Sequence, residues 1–527
     1  MGARTGQLAL LPPAVAIGDA RVIHRDDPGP RPWHGAHVTH HTTVAELFDI
    51  DNVGPQGAAL SGFEMFRQAG DSLDGLVGEA RAAGKRVLAI GSGWALTRIN
   101  ITDGWLVNTK LLNGVYDIGD RYFEDGRADG VVLAQAGLQV AELNAYLELL
   151  HPEKRALRAA GIGNGQTLAG AVSGNTHGSQ ISYGAMPDFV VGLHLVTGSG
   201  RTLWLERASR PVLTAEFADK LGAELVRDDE QFNAAVVSFG TCGIVAALAI
   251  ETAPIYQLQF PAVGDIRHDD LKAKLRRLGA DPGDLYHYEF IFDPHSRKQV
   301  AMEAGAPQVE FRPGIPTPTP RWIVRDKRGY APGVRILAPL APLLRVLPVG
   351  FVTSLQFKQY RQRALLNSVR GTPGQLYTSS IYYLEGYTES AFAVSIDDAP
   401  ETIDIVSAVA RELKLPSISQ VRLVHPSQAT LSFTRHAPKT AVFEVGLIDD
   451  ERFPEFERRL DAAFRKAQIR YTLHWSKNSG IEPDKLAYMY GEEPIARFKA
   501  ARREIFGGDE ALMDVFATDV LKRAGLT

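Results

Sequence analysis

Glycine dominates two short stretches of this chain, Ala89-Ile-Gly-Ser-Gly-Trp-Ala-Leu-Thr97 and Gly161-Ile-Gly-Asn-Gly-Gln-Thr-Leu-Ala-Gly-Ala-Val-Ser-Gly-Asn-Thr-His-Gly-Ser179. The second carries almost no charge, and Gln166 is its one long polar side chain. Residues without a Cβ let backbone N–H groups turn toward an anion and let the chain pass close to a flat ligand. Two such loops in one unit suit a long ligand with a pyrophosphate at its middle, which describes a dinucleotide. Gly91-x-Gly93 alone invites a Rossmann reading, and that reading fails. Leu96 stands at the third glycine position, and the β-branched run Thr97-Arg-Ile-Asn-Ile-Thr favours extended chain where a helix should open. Short strands and loops are expected here rather than a parallel βαβ unit.

At 527 residues the chain is long enough for two or more domains. Its 57 Lys+Arg against 61 Asp+Glu leave a net charge of −4, so nucleic acid is not an expected partner. Cys242 is the only cysteine, which excludes an internal disulfide and a cysteine-built metal site and fits a reducing, cytoplasmic compartment. No metal is expected. Leu8 to Ile17 is apolar but short and broken by Pro12 and Pro13, so it does not read as a secretory signal. Ile336 to Leu355 is interrupted by Arg345 and three prolines, which excludes a spanning helix. It reads as a segment of the second domain; the alternative is an interfacial patch flanked by Arg335, Arg345, Lys358, Arg361 and Arg363.

The elements that position the loops follow from periodicity. Residues 1–45 mix Pro, Gly and His and read as an extension that wraps the surface. Leu73, Leu76, Val77 and Ala80 recur at helical spacing between Ser72 and Ala83, with Gly84 as C-cap. Arg86 to Ile90 is a buried strand running into the first glycine loop. Strands at 105–108 and 131–135, a helix at 139–150, a hairpin of 189–196 and 202–205, a helix at 232–237 and a strand at 244–250 follow. Residues 306–333, rich in Pro and Arg, read as a loop within a 306–370 insertion. Strands at 390–396, 418–425, 440–446 and 469–474, with helices at 400–413 and 452–467, suggest an α+β layer covered on one face by helices. The expected organisation is an extension (1–45), a first domain (46–255), a second domain (256–475) and a C-terminal segment (476–527) returning to the first.

Four ordered segments carry a resemblance: Arg86 to Asn108, Ala134-Gln-Ala-Gly137, Gly161 to Ser179 and Val237-Ser-Phe-Gly-Thr-Cys-Gly-Ile-Val245. Together they resemble the FAD-binding domain of the vanillyl-alcohol-oxidase superfamily, the PCMH type, and within it the aldonolactone oxidoreductase and alditol oxidase branch. The resemblance covers residues 45 to 255 well and the remainder loosely. It implies an α+β fold: a two-subdomain FAD-binding domain plus a substrate, or cap, domain. It also implies FAD as cofactor, with Ile90, Gly91, Ser92, Gly93, Trp94 and Ala95 around the pyrophosphate. Ala136 and Gly137 would lie beside the flavin ring. Ile162, Thr167, Gly170, Gly174, Asn175, Thr176 and His177 would lie along the flavin, ribityl and phosphate side, and Ile244 would hold the adenine end. His177 has a second reading, a bond to the backbone that holds the loop's shape. Many relatives place a histidine after Gly-Ser-Gly and bond it covalently to the flavin. Trp94 stands there in this chain, so non-covalent FAD is expected.

In the same family the cap supplies a cationic pair over the flavin. His474-Trp-Ser-Lys477 resembles its His-Trp-x-Lys motif and Gln420-Val-Arg422 its Glu-x-Arg strand. Oxidising a CH–OH group sends hydride to flavin N5 and leaves negative charge on the N1–C2=O edge and the substrate oxygen. Fixed Lys477 and Arg422 would stabilise both in a dry site. The plain alternatives are a strand-end salt bridge for Arg422 and a solvated charge for Lys477. Gln420 stands where polyol oxidases use glutamate, Glu444 where a histidine is usual, Gly446 where a hydroxyl residue is usual, and Ile162 where a small polar residue is usual. A polyol needs dense hydrogen bonding, since an unpaired buried polar group costs on the order of 1–3 kcal/mol. The replacements point to a medium-sized, partly apolar alcohol, lactol or amine as the small-molecule substrate, with Glu444 as general base. Reoxidation by O₂ or by a quinone or cytochrome is left open by Ala136. The rival readings are an NADPH-dependent reductase on the same fold, for which no nicotinamide signature is found, and a non-catalytic flavin-binding protein.

Overall fold

A computed structural model describes residues 22–24, 30–35, 37, 39–52, 60, 62–124, 130–161, 163–260, 262–296, 299–304, 347–365, 369–376, 387–448, 450–478 and 480–527. Strands gather into three larger sheets and two short pairs.

In the first sheet Glu46–Ile50, Trp105–Asn108 and Val87–Ile90 lie side by side and parallel. With helix Gly62–Ala82 between the first and last, they form a parallel βαβ crossover, which corrects the expectation of strands and loops alone. Strands of four or five residues carry too little periodicity to be told from loop. The glycine loop still departs from the Rossmann pattern. After it comes only the one-turn 3₁₀ segment Arg98–Asn100, neither the α-helix of that pattern nor the extended chain expected of a β-branched run. The described part of the N-terminal extension is also more regular than its composition suggests. Val22–His24 pairs with Glu46–Ile50, and the hairpin of Arg31–His34 and His41–Val44 buries Trp33 and Val44 against Leu88, Ile90 and Leu106.

The second sheet runs in the order Ala223–Arg227, Thr202–Glu206, Val190–Val196, Ile244–Pro254, Val131–Gln135, Val115–Asp117, with Arg155–Leu157 on the end of Ile244–Pro254. The hairpin at Gly198–Gly200 forms, with Val196 opposite Thr202. Gly62–Ala82 buries Leu73, Leu76, Val77 and Ala80 and ends before Gly84 at φ +63°. Its start, well before Ser72, was hidden by Gly70. That glycine lets the His194 ring approach so closely that a Cβ would lie 2.8 Å from the ring. The expected helix at 139–150 is Val140–Ala145 followed by a π turn, and the one at 232–237 is Asp229–Ala235, capped by Asp228.

The third sheet is antiparallel: Ala262–Asp265, Gln299–Ala304, His287–Phe292, Ile418–Val424, Thr440–Ile448, Tyr387–Ser395, Tyr471–Leu473. Alternation gives it two unlike faces. Tyr288, Phe290, Val421, Phe443 and Phe392 point to one, where helices His268–Ala280, Ala399–Glu412 and Phe453–Ala467 cover them; Phe392 meets Phe443 and Phe464 with ring centres 5.3 Å apart in both pairs. The opposite face carries Glu289, Arg422, Gln420, Glu444 and Glu389, and it is the face that matters for chemistry. Residues 305–346, including the 306–333 loop, lie outside the described residues. The insertion's described part contains helix Val349–Leu365, with Phe351 and Leu355 exposed, and no described helix is long and apolar enough to cross a membrane. After Lys477 the chain runs back to the first half. Helix Glu492–Ile505 packs on Asp229–Ala235, and Arg81 and Arg86 bind Asp509 and Asp519.

Candidate active site

The two glycine loops lie against each other. Ser92 Oγ donates to the Gly165 carbonyl at 2.7 Å, and a Cβ on Gly165 would come within 2.9 Å of the Trp94 ring. At Gly91 a Cβ would stand 1.8 Å from Thr167 Oγ1, so only glycine fits. Thr167 begins helix Leu168–Ser173, in which Gly170 lies under the Thr167 hydroxyl, and Gly174 ends it beside Ser476. Gly137 backs directly onto the Thr109 carbonyl, where a Cβ would be 1.9 Å away, and the Ala136 N–H is bound to the Ala246 carbonyl. Ile244, buried, opens the strand beyond Gly243. Ile162 lies outside the described residues.

Side chains in the second loop are largely committed to shape. Asn175, at φ +60°, accepts from Ser432 Oγ at 2.5 Å and the Phe433 N–H at 3.0 Å, pinning the loop to the cap. Thr176 Oγ1 donates to Gln166 at 3.1 Å. His177 Nδ1 lies 3.0 Å from the Gly178 carbonyl, and its ring stands edge-on to Phe433. These contacts favour the shape-holding reading of His177. One atom is different: the Asn164 side-chain oxygen, in the second loop, is buried with no donor among the described residues. Loops packed so closely that a Cβ at Gly91, Gly137 or Gly165 would come within 2.9 Å of a neighbour, with one buried acceptor left over, fit a dinucleotide with phosphates and hydroxyls.

The cap presents its charged face through a turn. His474 N–H is bound to the Ala391 carbonyl, and the Lys477 and Asn478 N–H groups to the His474 carbonyl, so residues 474–478 fold back on the sheet edge. Asn478 fixes that turn, donating to Ser390 and Glu457, both at 2.7 Å. Trp475 points the other way, donating to Tyr490 Oη at 2.9 Å and packing on Phe239. Lys477 Nζ is thereby set 2.8 Å from Glu389 Oε2 and in contact with Glu444 Oε1. Arg422 Nη2 lies 3.1 Å from Glu444 Oε2 and 3.1 Å from Gln420 Oε1, and its Nε lies 3.8 Å from Glu289. Gln420 donates to Glu289 at 3.1 Å, and His287 stands 3.6 Å from the same carboxylate. Cross-strand register explains the grouping: Glu289 is opposite Arg422, Gln420 opposite Glu444, and Glu389 opposite Gly446.

Burial and charge act against each other here. Burial alone would raise the Glu444 carboxyl, but Arg422 and Lys477 outweigh it and hold Glu444 well below the usual carboxylate range. Glu289 is likewise lowered against its burial, by His287 and Arg422. Glu389 goes the other way: burial and the nearby Glu444 raise it despite Lys477. Lys477 stays above its ordinary value because the two carboxylates outweigh its burial. Burial pushes His177 down to about 4 and His474 well below its usual value, so both rings are neutral.

The structure thus gathers Lys477, Arg422, Glu444, Gln420 and the backbone of His474 at one site, with His177 facing Glu444 from the glycine loop. Its register also brings in Glu289, Glu389 and His287, none of them marked by the sequence. A lone glutamate in a strand has no local signature, although Glu289 and Glu389 each sit at an inward position of an alternating strand. The same face turns apolar two residues along two of the strands: Ile291 and Ile418 form a small buried cluster with Phe357 of helix Val349–Leu365, and Ile418 is opposite Gly446.

Residues 70–206 match the family described as FAD binding domain. L-gulono-1,4-lactone dehydrogenase of Mycobacterium tuberculosis is 24% identical over 420 residues, covering 77% of this chain and 84% of that protein. D-arabinono-1,4-lactone oxidase of Eremothecium gossypii is 31% identical over 188 residues, which span 36% of this chain and 31% of the oxidase. Cholesterol oxidase from B. sterolicum has a similar structure, with a TM-score of 0.67 at 13% identity over 98% of this chain and 99% of that one. For 6-hydroxy-D-nicotine oxidase from Arthrobacter nicotinovorans the TM-score is 0.55 at 14% identity, over 94% and 97%. At such identities these two speak for the fold alone. The chain has the fold of PCMH-type flavoproteins, with the two-subdomain FAD-binding half and helix-covered cap described above, and its FAD-binding domain and lactone dehydrogenase and oxidase relatives support the vanillyl-alcohol-oxidase superfamily. It is an FAD-dependent oxidoreductase.

Proposed function

We propose that this chain oxidises the CH–OH group of a medium-sized, partly apolar alcohol or lactol. FAD, held non-covalently by Ile90–Ala95 and the 161–178 loop, supplies the hydride acceptor. Lys477 and Arg422 stabilise the negative charge that develops on the substrate oxygen and the flavin edge, where a fixed donor is worth about 10²–10³ in rate. Glu444, bridging the two cations, holds them in place; a carboxylate kept so firmly ionised is a weak base, so the general-base role expected of it passes elsewhere. The observation that carries the reading is the sheet face itself, on which the cationic pair adjoins Gly446, Ile418 and Ile291, the two isoleucines packed against Phe357 of helix Val349–Leu365. The named activities of the relatives concern sugar lactones, but among the described residues this face offers a sugar few partners beyond the charged group. The protein's place among those relatives is on the aldonolactone side of the superfamily.

The test is anaerobic titration of the purified yellow protein with alditols, aldonolactones, long-chain alcohols and sterols, following loss of the oxidised flavin band. Apolar alcohols should bleach it at lower concentration than alditols. Bleaching by alditols alone, or by NADPH alone, would overturn the proposal. Peroxide release in air separates O₂ from a quinone or cytochrome as acceptor. Acid precipitation of the same sample should leave the yellow colour in the supernatant, because Trp94 offers no nucleophile for a covalent link.

A further inference from the structure

Among the described residues, charge on the cap face is unevenly shared. Arg422 and Lys477 stand among the three carboxyls Glu289, Glu389 and Glu444; His177 and His474 stay neutral, and His287 lies against Glu289. The cations are not shared evenly. Glu444 contacts both; Glu289 has Arg422, the Gln420 amide and His287; among the described residues Glu389 is ion-paired with Lys477 alone, and shares it with Glu444. Of the three carboxyls, Glu389 is therefore the least compensated. Placing a proton there removes one buried charge without stripping a partner from any other group, whereas protonating Glu444 would leave Arg422 and Lys477 facing each other.

Position supports the same residue. Glu389 stands opposite Gly446, which has no side chain, and Gly446 in turn is opposite Ile418. That row joins the charged group to the apolar end of the face, where an amphiphilic alcohol would bring its hydroxyl to the boundary. The Glu389 side chain keeps 13% exposure, like Arg422, against 3% for Glu289 and Glu444, so it is the most accessible of the three carboxyls, and Lys477 beside it keeps 22%.

We propose that Glu389 is the proton acceptor of the alcohol oxidation, and this rests on the functional reading above. In the step, the substrate O–H bond breaks and its proton forms an O–H bond with a Glu389 carboxylate oxygen. The freed electron pair becomes the second bond of the product C=O, and the C–H bond breaks with its pair leaving as hydride to oxidised FAD. The substrate loses two electrons and FAD gains them, to be removed by O₂ or another acceptor. The Glu389 proton passes to solvent before the next turnover. Lys477 lies within reach of both the carboxylate and the developing alkoxide. The charged groups facing Glu389 are Lys477, Glu444 and Arg422, all three present throughout.

The experiment compares wild type with Glu389→Gln and Glu444→Gln, each checked for bound FAD by its absorbance. Flavin reduction by the best alcohol should fall at least about a hundredfold in Glu389→Gln. The wild-type rate should rise with pH as a carboxyl ionises, and this limb should vanish in Glu389→Gln. In infrared difference spectra of substrate-reduced minus oxidised enzyme, the carbonyl stretch of a newly protonated carboxylic acid should appear in wild type and Glu444→Gln and be missing from Glu389→Gln. If Glu389→Gln does not hold FAD, Glu389→Asp replaces it, and the band should shift. A wild-type rate and pH profile in Glu389→Gln, or an unchanged band in the variant used, overturns the proposal while leaving alcohol oxidation intact. A wild type that no alcohol reduces overturns both.

Discussion

Removing the Lys477 ammonium would strip Glu389 of the one ion pair it makes among the described residues and leave Glu444 paired there with Arg422. Two effects follow, and they are separable. Breaking a buried ion pair from one side costs about 3–5 kcal/mol, so Lys477→Met should lower the melting temperature as well as the rate. In the double variant Lys477→Met/Glu389→Gln one cation and one carboxyl leave together, and thermal stability should largely return. The rate of flavin reduction should not return, staying at least about a hundredfold down, because charge stabilisation at the substrate is still missing. Recovery of both would make Lys477 a structural counter-ion only. At this scale the sequence was partly legible. Lys477 and Arg422 stand in short motifs that a reader can find. Glu289 and Glu389 become partners of those residues only through the register of strands about a hundred residues apart, which no local pattern records.

Among the elements, the glycine loop makes the sharpest prediction. At Gly91 an added methyl would lie 1.8 Å from the Thr167 hydroxyl, so Gly91→Ala must part the two loops. Its expected result is FAD affinity at least about tenfold weaker, measured by apoprotein titration, with the cap sheet intact by circular dichroism. Unchanged affinity would mean that the two loops need not touch to hold the cofactor. Strong periodicity made the cap strands and helices legible: expected helices at 400–413 and 452–467 are found at Ala399–Glu412 and Phe453–Ala467. The parallel crossover and the early half of helix Gly62–Ala82 were not legible. In both, contacts made far along the chain, such as Gly70 against His194, override a weak local preference.

For the molecule as a whole, buried histidines set the response to acid. Burial pushes His177 and His194 down to about 4 and His436 to about 3, and His474 falls well below its usual value. In the unfolded chain each takes up a proton near pH 6.5. Between there and about pH 4 the unfolded state binds protons that the folded state refuses. Stability is therefore full above pH 6.5 and falls with decreasing pH, by about 1.4 kcal/mol per unit for each histidine. Melting temperature should hold steady from pH 8 to 7 and then drop toward pH 5, less steeply in His194→Gln; a flat profile would mean these rings gain protons while folded.

The Leu96 N–H reaches the Ser476 carbonyl at 2.7 Å, and the Thr97 hydroxyl reaches the Trp475 carbonyl at 2.9 Å. The turn that aims the ammonium is thus fastened to the loop that follows the first glycine motif, although 378 residues separate Thr97 from Trp475. For anyone recombining relatives, this sets where a splice can fall. A chimera that imports a foreign cap up to residue 473 and keeps the native 474–478 retains both fastenings. One that imports 474–478 without its own nucleotide loop joins two parts shaped for other partners.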